Sequence, residues 1–113
     1  MEAKAVKRYI RSSPRKMRLV IDLIRGKNAA EALAILKFTP KSAARDAEQV
    51  LLSAIANLGN QEQTGVVRPD ALVVKEVYVN QGATAKRISP APMGRAYRIR
   101  KRSHHLTITV STQ

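Results

Sequence analysis

Seven cations and no acid fall within 17 positions from Lys86 to Arg102 (KRISPAPMGRAYRIRKR): Lys86, Arg87, Arg95, Arg98, Arg100, Lys101 and Arg102. Arginine outnumbers lysine here, and the planar guanidinium suits paired bonds to phosphate oxygens. A second group, Ser12-Ser13-Pro14-Arg15-Lys16, places two cations in the first turn of an expected helix, where the macrodipole favours negative charge. A phosphate there would remove the repulsion, with free backbone N–H groups and both cations converging on one anion. Two solvated side chains pointing away from the helix end are the alternative. The uneven charge along the chain favours the phosphate.

Other chemistry is poorly supplied. His104-His105 is the one histidine cluster, and neighbours on a strand point to opposite faces, so the pair does not suit a shared metal. The reading left for them is structural or RNA-facing. The acids Glu31, Asp46, Glu48, Glu62, Asp70 and Glu76 are scattered without the paired spacing of acid/base work. There is no phosphate-loop glycine motif, no nucleophile elbow and no cysteine, so no enzyme, cofactor or metal is expected. One Phe, three Tyr and no Trp make a poor base-stacking platform. Tyr9 and Tyr97 lie in basic segments, where each either stacks on a base or packs on the core. Backbone and shape recognition of folded RNA fits this composition better.

The charge map gives these residues a context. Residues 1–27 hold nine basic and two acidic residues, 28–71 hold four and five, and 72–85 one and one. A neutral middle is thus flanked by two basic blocks, for a formal net charge of +13. Such a charge opposes a compact state unless counter-charge is supplied, and nucleic acid is the usual source for a small basic domain. At 113 residues the chain makes a single domain (1–113) with a modest core. No apolar run approaches the ~20 residues of a membrane span, and Met1-Glu2-Ala3-Lys4 opens no secretory signal. A soluble, intracellular polyanion binder is expected, with no membrane partner and no small-molecule substrate.

The elements that position the cations follow from spacing and punctuation. Ala3–Arg11 reads as a strand. Ser13 caps a helix with Pro14 at its first position, Met17, Val20, Ile21 and Ile24 mark its buried face, and Gly26 follows its end. Asp22 is placed to pair with Arg18 and Arg25. Asn28 to Glu31 reads as a capping box for a short helix to about Lys37. Thr39-Pro40 opens the longest helix, which carries Ala43, Ala47, Val50, Leu51, Ala54, Ile55 and Leu58 on one side and closes at Gly59. A polar loop over 60–71 leads to a strand, Leu72–Val79, with a bend or bulge at Asn80-Gln81-Gly82. The return strand, about Ala96–Thr109, turns Leu106, Ile108 and Val110 to the core and Thr107 and Thr109 away. Between the strands, Ser89-Pro90-Ala91-Pro92-Met93-Gly94 forms a turn. The whole is a helical core with a long hairpin arm over about 80–102. Ten residues from Val79 to Ser89 reach ~30 Å, beyond what a small helical core covers.

Three segments carry a family resemblance. SPRKMRLVIDLIRG (13–26), KRISPAPMGRA (86–96) and RKRSHHLTITV (100–110) resemble the signature helix, hairpin tip and closing strand of the bacterial large-subunit ribosomal protein number twenty-two, the universal uL22 family. The likeness runs in order over nearly the whole chain. It implies an α+β domain of three helices packed on a small three-stranded antiparallel sheet with a long protruding β-hairpin. It also implies a non-catalytic protein in the cytoplasmic ribosome that binds large-subunit ribosomal RNA during assembly. Its further implied partners are neighbouring large-subunit ribosomal proteins and the nascent polypeptide, since the family's arm lines the exit tunnel. Motif matches fall on Ser13, Pro14, Arg15, Lys16 and Arg18; on Lys86, Arg87, Pro90, Gly94, Arg95 and Ala96; and on Lys101, Arg102, Ser103 and His104.

Together with the charge blocks, this gives an expected RNA-binding set of Lys7, Arg8, Arg11, Ser13, Arg15, Lys16, Arg18, Arg25, Lys86, Arg87, Arg95, Arg98, Arg100, Lys101, Arg102 and His104. The expected tunnel-lining tip is Ile88, Ser89, Pro90, Ala91, Pro92, Met93 and Gly94. The family pattern has Arg-Ala after the tip proline where this chain has Ala91-Pro92, so that arginine's contact is not carried over and a stiffer loop is expected. The long helix departs too, with Asn57-Leu58-Gly59-Asn60 in place of an Asn-rich run.

Overall fold

The computed structural model describes residues 2–61, 68–90 and 92–112, with backbone alone at Gln61 and Tyr97. Ala91 of the tip, the Tyr97 side chain and most of the expected loop over 60–71 therefore lie outside the described residues. The elements run β1 (Glu2–Ile10), α1 (Pro14–Ile21), α2 (Ala29–Phe38), α3 (Ser42–Gln61), β2 (Leu72–Pro90) and β3 (Ala96–Thr112). The sheet has the order β1-β3-β2 and is antiparallel throughout. Three helices on a three-stranded sheet is the expected α+β architecture.

One face of the sheet is buried under the helices. Ala3 and Ala5 of β1, Leu72, Val74, Val77 and Val79 of β2, and Leu106, Ile108 and Val110 of β3 meet the expected apolar positions of α1 and α3 and Leu36 of α2. On β2 the inward residues change from even to odd numbers. The ladder pairs Val74 with Val110 and Glu76 with Thr109, so Lys75 is an extra residue and the strand changes parity. Lys75 reaches Glu2, whose hydrogen bond and charge hold the lysine amine above its ordinary range.

Four expectations need correction. The α-helical pattern of α1 ends at Ile21 rather than just before Gly26. Leu23 and Ile24 donate to the carbonyls three residues back, at 3.1 Å each, and this tighter turn still buries Ile24 before Gly26 takes its left-handed φ of 75°. Thr39 ends α2 instead of opening α3: its Oγ1 donates to Ile35 O at 2.6 Å, and α3 begins at Ser42. Gly59 lies inside α3, buried and followed by helical residues to Gln61. The intrinsic cost of a helical glycine is only ~1 kcal/mol, which burial of neighbours such as Leu58 outweighs. Thr107 and Thr109 are also buried, at 5% and 8% exposure, although they leave the helical face as expected. Because β3 is the central strand, each stands between side chains of both neighbours: Thr107 opposite Val6 and Tyr78, Thr109 opposite Lys4 and Glu76.

The arm projects as expected. The molecule measures 64 × 24 × 17 Å, and its radius of gyration of 17.2 Å exceeds the ~13 Å of a compact chain this long. Past Gln81 the ladder continues from Thr84↔Arg102 to Pro90↔Ala96. No described side chain of this distal segment is buried. The chain reverses through Pro92–Gly94, with Met93 and Gly94 at φ 64° and 73°.

Candidate nucleic-acid interface

The arm's register sorts its cations. Residues directly opposite in an antiparallel ladder share a face, and alternate residues share it too. Lys86, Arg98, Arg100 and Arg102 therefore stand on one face with Ile88, while Arg87 and Lys101 stand on the other with Ala85 and Ile99. Lys86 is directly opposite Arg100, a like-charge pair that destabilises an isolated ribbon.

At the root of the arm the two basic blocks meet. A cleft of about 1200 Å³ is lined on one side by Tyr9, Arg11, Ser12, Ser13, Arg15 and Lys16, and on the other by Ala83–Ala85, Arg87, Arg100–Arg102 and Ser103. Its seven cations come from segments more than 65 residues apart in sequence, and none of the described acids lines it. The α1 side differs from expectation in one respect. Pro14 has no N–H, and the amides of Lys16 and Met17 already donate to Ser13 O at 3.2 and 3.4 Å. An anion at this end is met by the Arg15 and Lys16 side chains more than by backbone. The Ser13 side chain makes no capping bond, and the residue lines the same cleft.

A bulge at each edge of the sheet builds this root. Gln81 pairs with His104 and Thr84 with Arg102, so Gly82 and Ala83 face Ser103 alone, where the sequence signalled a bend. Ser103 Oγ donates to Ala83 O at 2.6 Å. A Cβ on Gly82 would lie 2.8 Å from that Oγ and 3.1 and 3.2 Å from Cε1 and Nε2 of His105, so glycine is needed here for close approach. On the other edge, Lys7 pairs with Leu106 and Ile10 with His104, leaving Arg8 and Tyr9 opposite His105. Tyr9 takes φ 58°. Its N–H donates to His105 Nδ1 at 3.0 Å, and the two rings meet edge to face with centroids 5.0 Å apart. No sequence signal marks Tyr9 for this conformation, which usually falls to Gly or Asn.

Several expected binding residues lie elsewhere. His104 is corrected outright: it is fully buried, and its Nδ1 lies 3.0 Å from Ser12 O. A carbonyl can only accept, so Nδ1 carries the proton, and the ring ties β3 to the β1–α1 connection instead of facing RNA. Lys7 donates to Asp46 Oδ1 at 2.7 Å and Gln49 Oε1 at 3.0 Å on α3. Arg18 donates to Val79 O at 3.4 Å instead of pairing with Asp22, whereas Arg25 does pair with Asp22, also at 3.4 Å. Arg8 is exposed outside the cleft, as are Lys86, Arg95 and Arg98 farther along the arm. Ile88, Pro90, Pro92, Met93 and Gly94 are exposed at the tip, and Ser89 partly so.

Among the described residues no group of three or more histidines and acids could hold a metal ion. No helix among them is long and apolar enough to cross a membrane. The comparisons with known proteins agree on one family. The family described as Ribosomal protein L22p/L17e matches residues 5–111. The large ribosomal subunit protein uL22 of Desulfitobacterium hafniense (strain Y51) is 56% identical over 109 residues, covering 96% of this chain and 93% of its own. That of Staphylococcus aureus (strain Newman) is 58% identical over 111 residues, covering 98% and 92%. A match over nearly the full length of both chains, on a fold with the expected arm, means that this chain belongs to the ribosomal protein L22p/L17e family.

Proposed function

We propose that the chain is a structural constituent of the large ribosomal subunit, cytoplasmic and without catalytic activity. It holds large-subunit ribosomal RNA in the cleft at the root of its arm and along the arm's cationic face. The observation that carries this reading is the convergence of seven cations from both basic blocks on one cleft that no described acid lines. The like-charge pair Lys86–Arg100 and the absence of buried described side chains beyond the bulge support it, because such an arm gains stability from an anionic surround and little from itself. The globular part then rests against RNA and neighbouring ribosomal proteins. The tip, of which Ile88 to Pro90 and Pro92 to Gly94 are described, lines the exit tunnel and meets the nascent polypeptide in this reading.

The test is a salt titration of binding to large-subunit ribosomal RNA transcribed in vitro. If all seven cleft cations engage phosphate, log K falls against log salt with a slope of about −5 to −6. Affinity then drops ~10³-fold between about 50 and 200 mM salt. Arg15→Ala with Lys16→Ala should reduce the slope by about 2. A flat salt response would remove the phosphate account. Equal affinity for duplex DNA would favour a general nucleic-acid binder, as would recovery from cell extract apart from large subunits after a high-salt wash.

A further inference from the structure

We propose that Tyr9 is a stacking platform for one unpaired base of the RNA held in the cleft, an inference that rests on the RNA-binding reading above. It starts from parity. Ala3 and Ala5 face the helices, so an unbroken β1 would turn Tyr9 inward and Ile10 outward. The extra residue reverses this: Ile10 is buried and Tyr9 is 67% exposed. A large aromatic ring is thus brought out of the protein at a bulge, in a left-handed conformation that non-glycine residues rarely adopt.

The ring is also held. The Tyr9 N–H is fixed on His105 Nδ1, and the His105 ring abuts Tyr9 in an edge-to-face contact while its Cε1–Nε2 edge packs over Gly82. Tyr9 therefore arrives at the cleft oriented, with most of its surface open and the cations Arg11, Arg15 and Lys16 lining the same wall. Phosphate-binding cations beside a fixed, exposed aromatic face are the two halves of a nucleotide site, and stacking accepts any base. A tyrosine placed for packing alone would be covered; this one is presented.

Glycine separates a binding role from a structural one, since it fits φ 58° better than tyrosine. Binding of the full chain to in vitro transcribed large-subunit ribosomal RNA would be compared for the native protein, Tyr9→Gly and Tyr9→Phe. Tyr9→Gly is expected to weaken binding ~5- to 100-fold at fixed salt with the melting temperature close to native, because relief of the positive φ offsets the lost edge-to-face contact with His105. Its salt slope should stay native, because no phosphate contact is lost. Tyr9→Phe keeps the stacking face and should stay within about twofold of native. Native affinity in Tyr9→Gly, with the steep salt slope intact, would overturn the platform and leave RNA binding standing. Equal losses in Tyr9→Phe and Tyr9→Gly would overturn it in favour of a hydroxyl contact, and a lower melting temperature in Tyr9→Gly in favour of packing. Absence of salt-dependent binding by the native protein would instead remove the RNA reading itself.

Discussion

Gly82→Ala tests the root of the arm most directly. The added methyl would sit 2.8 Å from Ser103 Oγ, closer than real contacts allow, and 3.1–3.2 Å from the His105 ring. Neither neighbour yields freely. Ser103 can rotate away only by leaving Ala83 O, a loss of about 1 kcal/mol, kept modest because that residue is exposed. Any shift of the His105 ring strains the hydrogen bond that it accepts from the Tyr9 N–H, so relieving the second conflict adds about 1 kcal/mol or more. Reduced freedom of the unfolded chain offsets this by about 0.4–1 kcal/mol. The net expectation is a loss of about 1–2 kcal/mol in urea unfolding at unchanged m-value. Ser103→Ala removes the nearer obstacle. In a double-mutant cycle, Gly82→Ala should cost about 1 kcal/mol less in that background. Gly82→Ala as stable as the native protein, or a cycle without coupling, would refute the close-packing account.

Three further outcomes follow from individual contacts. Lys7→Met should lower stability by no more than about 1 kcal/mol and leave the RNA salt slope native, because Lys7 is engaged by the half-exposed Asp46 and Gln49; salt titration and urea unfolding read the two effects. Asn28→Ala should cost about 1–2 kcal/mol in urea unfolding, since Oδ1 caps α2 at Ala30 N (2.9 Å) while Nδ2 donates to Asp70 O (2.6 Å) ahead of β2. Deleting Lys86–Gly94 should leave one cooperative calorimetric transition, because none of the described side chains removed is buried.

The sequence was most informative where local chemistry decides structure. Pro14 and Asn28 mark helix starts because a missing N–H and a side-chain cap act within one turn, and the 3.6-residue spacing of α3 names its buried face without tertiary knowledge. Gly59 misled because its helical penalty is smaller than the packing around it, and Thr39 because a threonine before proline can end one helix as readily as begin another. Burial of Thr107 and Thr109 depended on β3 becoming the central strand, a fact of topology that no window of residues contains. For the candidate site, the cations were legible by composition, but which of them share a cleft was not. Lys7 and His104 differ from Arg11 and Arg15 through partners 39 and 92 residues away in sequence.

The three bulges account for much of what the sequence hid, and they are also what places the site. Each two-against-one count reverses the alternation that strand reading relies on. At Lys75 the reversal lets β2 keep Leu72, Val74, Val77 and Val79 on one face. At Gly82-Ala83 it falls where the buried ladder gives way to the cationic arm, and at Arg8-Tyr9 it exchanges Ile10 for Tyr9 on the buried face. The last two are physically coupled. His105 lies between them on the central strand, with Gly82 against one edge of its ring and Tyr9 against the other side. A change at Gly82 therefore reaches Tyr9 through a single imidazole. If Tyr9 stacks on RNA, Gly82→Ala should weaken RNA binding with a native salt slope, although Gly82 itself carries no charge and offers no ring. Native binding in that variant, with its stability lowered, would show that the two edges of the sheet act independently.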